Sequence, residues 1–225
     1  MTLGLLGKKK GMTQIFDESG NVIPVTLVEV GPCTVVQCNT KKKQGYDAVQ
    51  LGFFPNKPQR LPKPLRDRFE KQKMACFSHL KEFRVGDVVS FKVGQVMTVA
   101  GFKSGDTVDV QGITKGRGFQ GVMKRHGKHG GPDGHGSGFH RSPGSIGMRT
   151  WPGRVLKNMR LPGRMGADQV LIRNLRVVGV DLGQNLLLIR GAIPGAREQI
   201  ITVFNREKDF ESRFKEVAPQ EAAQG

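Results

Sequence analysis

Aromatic residues with polar edges are scarce in this chain, whose 225 residues include one Trp and one Tyr. Proteins that hold nucleic acid by stacking bases on aromatic platforms need more of them, so a purely stacking mode of binding is disfavoured. Cysteine is sparse as well. Three thiols at irregular spacing cannot build a disulfide framework, which points to a reducing compartment. No apolar run approaches the length of a membrane span. The opening MTLGLLGKKKG has too short an apolar run for a signal peptide, and its charges follow that run rather than precede it. The expectation is therefore a cytoplasmic protein with no membrane partner. Acids are few, 19 against 36 Lys and Arg, which leaves a formal net charge of +17 and a pI near 10.3. No paired carboxylates and no Ser–His–Asp set stand out, so neither an enzyme nor a small-molecule substrate is expected.

What the chain does have is a concentration of positive charge. Residues 112–165 contain eleven Lys or Arg and a single acid, Asp133, and so carry +10 of the total. Fourteen of the 31 glycines and four of the five histidines fall in the same 54 residues. Such a segment has too little apolar surface to offset its conformational entropy as an isolated globule. Its charges repel one another unless a polyanion neutralises them. Glycine lets backbone approach a partner closely, and dispersed Arg and Lys neutralise phosphates. Both features predict a long arm that becomes ordered within folded nucleic acid.

On either side of the arm the patterning is β. Strands are predicted at Met12–Asp17, Val22–Val30, Cys33–Asn39 and Ala48–Phe53, with breaks at Glu18–Asn21, Gly31-Pro32 and Lys41–Gly45. Residues 55–81 carry four prolines and many cations and read as an exposed insertion with a short helix near Arg66–Met74. Strand signals return at Val85–Phe91, Val93–Val99 and Thr107–Gly112, and after the arm at Gln169–Asp181, Asn185–Arg190 and Ile200–Phe204. Short strands without long helices between them favour a barrel or sandwich over βαβ units. The reading is thus a β domain over 1–111 and 166–217, a basic loop over 112–165 tethered at both ends, and a disordered tail over 218–225. A loop this long inside a compact domain is expected only where it is functional.

Three motifs have sharper readings that fail on context. Gly116-Arg117-Gly118-Phe119-Gln120-Gly121 fits G-x-G-x-x-G, but no βαβ unit surrounds it and the nearest acid after it is Asp133, in a glycine loop. His126, His129, His135 and His140 have only Asp133 as a companion ligand, on a backbone too rich in glycine to fix a metal site. Cys33, Cys38, Cys76 and His79 resemble a zinc set, yet Cys33 and Cys38 at odd spacing in one strand should face opposite ways, so core thiols are expected. Neither a cofactor nor a metal is predicted. Trp151, between Arg149 and Pro152 in a basic loop, suits packing on nucleotides better than a core. An RNA-modifying enzyme would need acids near the histidines, and a free nucleic-acid-binding regulator would need a self-contained recognition element. Neither is present.

Several blocks carry a family resemblance: GLLGKKKGMTQIFDESGNVIPVTLVEV (Gly4–Val30), FKSGDTVDVQGITKGRGFQGVMKR (Phe102–Arg125), HRSPGSIG (His140–Gly147), LPGRMG (Leu161–Gly166) and NLLLIRGAIPG (Asn185–Gly195). In this order they resemble the bacterial form of the large-subunit ribosomal protein L3 family. The resemblance implies a mainly β fold: a six-stranded, translation-protein-type β-barrel with a long, irregular, basic RNA-binding extension inserted between strands and a small, partly helical insertion. It implies a structural role in which the protein binds large-subunit (23S-type) rRNA and helps initiate subunit assembly. The extended loop would support the RNA near the peptidyl-transferase centre, with neighbouring large-subunit proteins as further partners.

The candidate RNA contacts begin with Lys8, Lys9 and Lys10. The arm supplies Lys115, Arg117, Lys124, Arg125, His126, Lys128, His129, His135, His140, Arg141, Arg149, Trp151, Arg154, Lys157, Arg160 and Arg164. Pro143-Gly144 and Pro152-Gly153 are turn signals, so the loop tip is expected at Met148, Arg149, Thr150, Trp151 and Pro152. Some bacterial relatives carry a methylated glutamine after the position of Gly147, and here that stretch has no glutamine.

Overall fold

The computed structural model describes residues 3–207 and 210–214. It divides into two compact units, Met1–Gly112 with Val170–Gly225, and Ile113–Gln169. In chain order the elements are β1 (Gly4–Phe16), β2 (Val22–Val30), β3 (Cys33–Asn39), α1 (Lys41–Gln44), β4 (Ala48–Pro55), α2 (Lys63–Lys71), β5 (Phe77–Arg84), β6 (Val96–Met97) and β7 (Thr107–Ile113). There follow β8 (Phe119–Gln120), α3 (Val122–His126), β9 (Gly163–Arg164), β10 (Gln169–Asp181), β11 (Leu186–Arg190), β12 (Ile200–Asn205) and α4 (Phe210–Arg213). No helix among the described residues is long and apolar enough to cross a membrane.

In the first unit six strands close into a ring in the order β1-β12-β7-β10-β11-β2. Antiparallel registers such as Leu5↔Val203, Val203↔Val110, Val177↔Ile189 and Leu187↔Val28 bring alternating apolar residues to one side. Those residues, with Val30 and Ile201, belong to one buried cluster. A separate four-stranded sheet, β5-β4-β3-β6, belongs to the same unit. Lys81 on β5 reaches the ring, where its ammonium donates to Gln111 Oε1 and Thr202 Oγ1, both at 2.8 Å. Burial there holds its pKa below the ordinary lysine value.

Several boundaries differ from the sequence reading. The strand expected at Val85–Phe91 is a loop, and the strand lies just before it, at Phe77–Arg84. Val85, Val88 and Phe91 are buried at a spacing of three rather than two, and Phe91 N–H closes a turn on Val88 C=O at 3.1 Å. Apolar anchors of a loop thus imitated a strand, while charge in FSHLKEFR concealed the real one. The strand expected at Val93–Val99 is reduced to β6. Helix α2 starts three residues before the expected Arg66, because Pro64 falls in its first turn, where a missing N–H costs nothing. It buries Phe69 edge-on to Phe77, with centroids 6.0 Å apart.

Cys33 and Cys38 do not face opposite ways. A bulge between Val35 and Gln37 shifts the phase of β3, so both pack on the main cluster, while Val36 and Cys76 belong to a second one. All three thiols are free, and burial pushes the Cys33 thiol up to about 12.

Near the C-terminus Phe210 packs on Phe102 and Phe214, with centroids 4.9 and 5.1 Å away. Arg213 donates to Asp106 Oδ2 at 2.6 Å, and Asn205 donates to the same oxygen at 2.8 Å. The tail predicted over 218–225 lies outside the described residues.

Candidate nucleic-acid interface

The second unit opens with a stem. Thr114 N–H donates to Asp168 C=O at 2.9 Å, Arg117 N–H to Met165 C=O at 2.9 Å, and Met165 N–H to Gly118 C=O at 3.0 Å. Next β8 pairs with β9 through Phe119↔Arg164 and Gln120↔Gly163. The two chains cross so closely that a Cβ on Gly166 would meet Lys115 O at 2.2 Å, and Gly166 also has φ +75°. Only glycine satisfies both conditions. This paired stem was not anticipated from the sequence, because two-residue strands leave no periodic pattern to read.

Helix α3 completes the stem. It buries Val122 and ends at Gly127 in the left-handed region. Its last turn carries Lys124, Arg125 and His126, a favourable place for cations at the negative end of a helix. Arg125 turns inward and donates from Nη1 to Leu161 C=O at 2.8 Å. His126 Nε2 lies 3.0 Å from the same oxygen, which fixes the tautomer with its proton on Nε2. Two candidate RNA contacts therefore hold the returning chain of the arm. Lys128, also half-buried, reaches Pro143 C=O at 3.4 Å.

Beyond Gly127 the chain runs to Pro162 through turns and bends without helix or strand. Residues 131–140 close a small loop through Gly131 N–H and His140 C=O at 2.8 Å. His129, His135 and His140 are exposed, and His140 Nδ1 sits 3.4 Å from Asp133. No group of three or more potential metal ligands occurs among the described residues.

Segments 144–149 and 153–155 line one open cleft, and a Cβ on Gly147 would lie 3.6 Å from Arg154 O. Trp151 is 83% exposed and Met148 69%.

Lys115, Arg117, Lys124, Arg141, Arg149, Arg154, Lys157, Arg160 and Arg164 are all exposed. None of these nine takes part in an ion pair among the described residues. Side chains that the sequence reading passed over lie among them: Phe119 is 76% exposed, Leu156 52% and Ile146 47%. Their signal was an apolar residue without periodic partners in a glycine-rich basic segment. Such a surface combines unneutralised cations for phosphates with apolar edges for sugars and bases.

The remaining candidates, Lys8, Lys9 and Lys10, belong to the first unit and are engaged there. Lys8 pairs with Glu198, and Lys10 with Glu29 at 2.8 Å. Lys9 is buried and donates to Ile193 C=O at 2.7 Å and Gly195 C=O at 3.1 Å. The hydrogen bond to Glu29 raises the Lys10 pKa, and the one from Lys8 lowers that of Glu198. With these partners β1 includes three consecutive lysines, bulging between Lys9 and Gly11, and it starts well before the expected Met12.

Comparison with known proteins matches residues 81–185 to the family model described as Ribosomal protein L3. The chain is 48% identical over 206 residues to the large ribosomal subunit protein uL3 of Desulfotalea psychrophila, covering 91% of this chain and 99% of that one. It is 47% identical to the uL3 protein of Geobacter sulfurreducens, covering 90% and 97%. It is 49% identical to that of Herpetosiphon aurantiacus, covering 92% and 98%.

Proposed function

Since the chain belongs to the ribosomal protein L3 family, we propose that it is a structural constituent of the large ribosomal subunit and grips large-subunit rRNA through residues 113–169. The observation that carries this reading is the set of nine exposed cations without a protein counter-charge on one small unit. Folded RNA supplies the missing anions, and release of its counterions drives the association. The role is structural, in line with relatives that are ribosomal proteins and not enzymes.

The six-strand ring is the translation-protein-type barrel of the family, and the second unit is its extension. Residues Met148 to Pro152, at its far end, support the RNA near the peptidyl-transferase centre. There Trp151 packs on nucleotides and Arg149 meets phosphate. The same binding helps initiate assembly of the subunit, and other large-subunit proteins contact the first unit. Sedimentation after a high-salt wash tests the reading. The chain is expected to remain with large subunits, and its quantitative release into the supernatant would contradict it.

A further inference from the structure

The longest stretch without a cation lies in the first unit. Residues 11–40 contain no Lys, Arg or His, although the chain as a whole carries +17. Their first part forms a hairpin that projects beyond the ring. Pairing of β1 with β12 ends at Lys8, and pairing of β2 with β11 reaches only Val25. From Met12 on β1 and up to Ile23 on β2 the two strands have only each other, in the register Met12↔Thr26, Gln14↔Pro24 and Phe16↔Val22, while Pro24 C=O still accepts from Gly191 N–H at 2.8 Å.

That register sets Met12, Phe16 and Val22 on one face, since cross-strand partners and alternate residues share a side. They are 54%, 67% and 54% exposed. At the tip Asp17 and Glu18 are both exposed. The turn is already built: Glu18 N–H donates to Asp17 Oδ1 at 2.8 Å, and Gly20 N–H to Asp17 C=O at 2.8 Å. The nearest lysines toward the root, Lys8 and Lys10, are paired with Glu198 and Glu29.

We propose that this hairpin docks a basic protein of the large subunit, which covers Met12, Phe16 and Val22 with an apolar patch and meets Asp17 and Glu18 with Lys or Arg. The inference rests on the ribosomal reading above. An RNA backbone brings its phosphates against two carboxylates that take part in no ion pair among the described residues. A second copy of this chain brings the same acidic tip. A basic protein meets both the charge and the apolar face, and the fixed turn reduces the ordering cost of binding.

Site-specific crosslinking in assembled subunits tests this. The full chain carries the photoreactive p-benzoylphenylalanine in place of Phe16 or, as an RNA-facing reference, in place of Trp151. Large subunits purified from cells that make each variant are irradiated. The position-16 adduct is expected to resist ribonuclease and to contain a second polypeptide with a pI above about 9. Asp17→Lys with Glu18→Lys should lower its yield several-fold. An adduct with rRNA, with a second copy of this chain or with an acidic protein overturns the proposal. So does the lack of any adduct, or a yield indifferent to the charge reversal. Absence of the chain from large subunits would instead defeat the ribosomal reading on which the inference rests.

Discussion

Trp151 and Asp106 are opposite cases at the scale of single residues. Trp151 is 83% exposed, so Trp151→Ala should leave the melting temperature of the free protein almost unchanged, as surface substitutions usually stay within about 0.5 kcal/mol. A calorimetric scan checks it, and a clear drop would put the indole in a core. Burial pushes the Asp106 carboxyl up, but Arg213, the Lys103 amide and Asn205 outweigh it and hold the group below the usual carboxylate range. A depressed folded value stabilises the native state fully above the unfolded value of about 3.9. That contribution is lost as pH falls below 4 through the folded value. Asp106→Asn should therefore cost roughly 2 kcal/mol near neutral pH, the scale of a hydrogen bond to a charged group, and the loss should shrink in acid. Urea titrations at pH 7 and pH 3 measure both. The exposure of Trp151 was legible from its basic, proline-flanked surroundings. The Asp106 network was not, since Asp106 lies 99 residues before Asn205 and 107 before Arg213.

Among the elements, the sequence revealed those with strong periodicity and concealed those held by pairing or bulges. β2 and β3 were read at their observed ends, because β-branched runs bounded by turn residues leave little choice. β5 was hidden by its charges, and the phase of β3 was altered by a bulge that no alternation rule anticipates. In the second unit the stem escaped notice for a related reason. Its partners, near residues 114–120 and 163–168, lie more than forty residues apart and show no local pattern. The stem makes an expectation for hydrogen exchange in the free protein. Amides of Arg117, Met165, Arg125 and Gly127 should be protected, while most of residues 132–160 exchange freely. Gly166→Ala places a methyl 2.2 Å from Lys115 O and should abolish stem protection while leaving the ring strands unaffected. Equal exchange in stem and distal loop of the unsubstituted protein would contradict the stem.

At the scale of the whole molecule, the cations expected to meet RNA fall into two populations. Nine exposed cations of the second unit take part in no ion pair among the described residues, whereas Lys8, Lys9 and Lys10 are used within the first. The sequence showed the total charge and its concentration in residues 112–165, but it could not tell a free cation from a paired one. For that reason Arg125 and His126 were grouped with Lys124, although they hold the stem. The most direct test of the division is the salt dependence of binding to large-subunit rRNA. Each neutralised phosphate adds roughly 0.7 to 0.9 to the slope of log K against log salt. Lys124→Gln, Arg154→Gln and Arg160→Gln together should lower that slope by about 2 to 3 if each meets one phosphate. Lys8→Gln with Lys10→Gln should leave it nearly unchanged. The reverse pattern, or equal losses from both sets, would contradict the claim that residues 113–169 form the RNA-gripping surface.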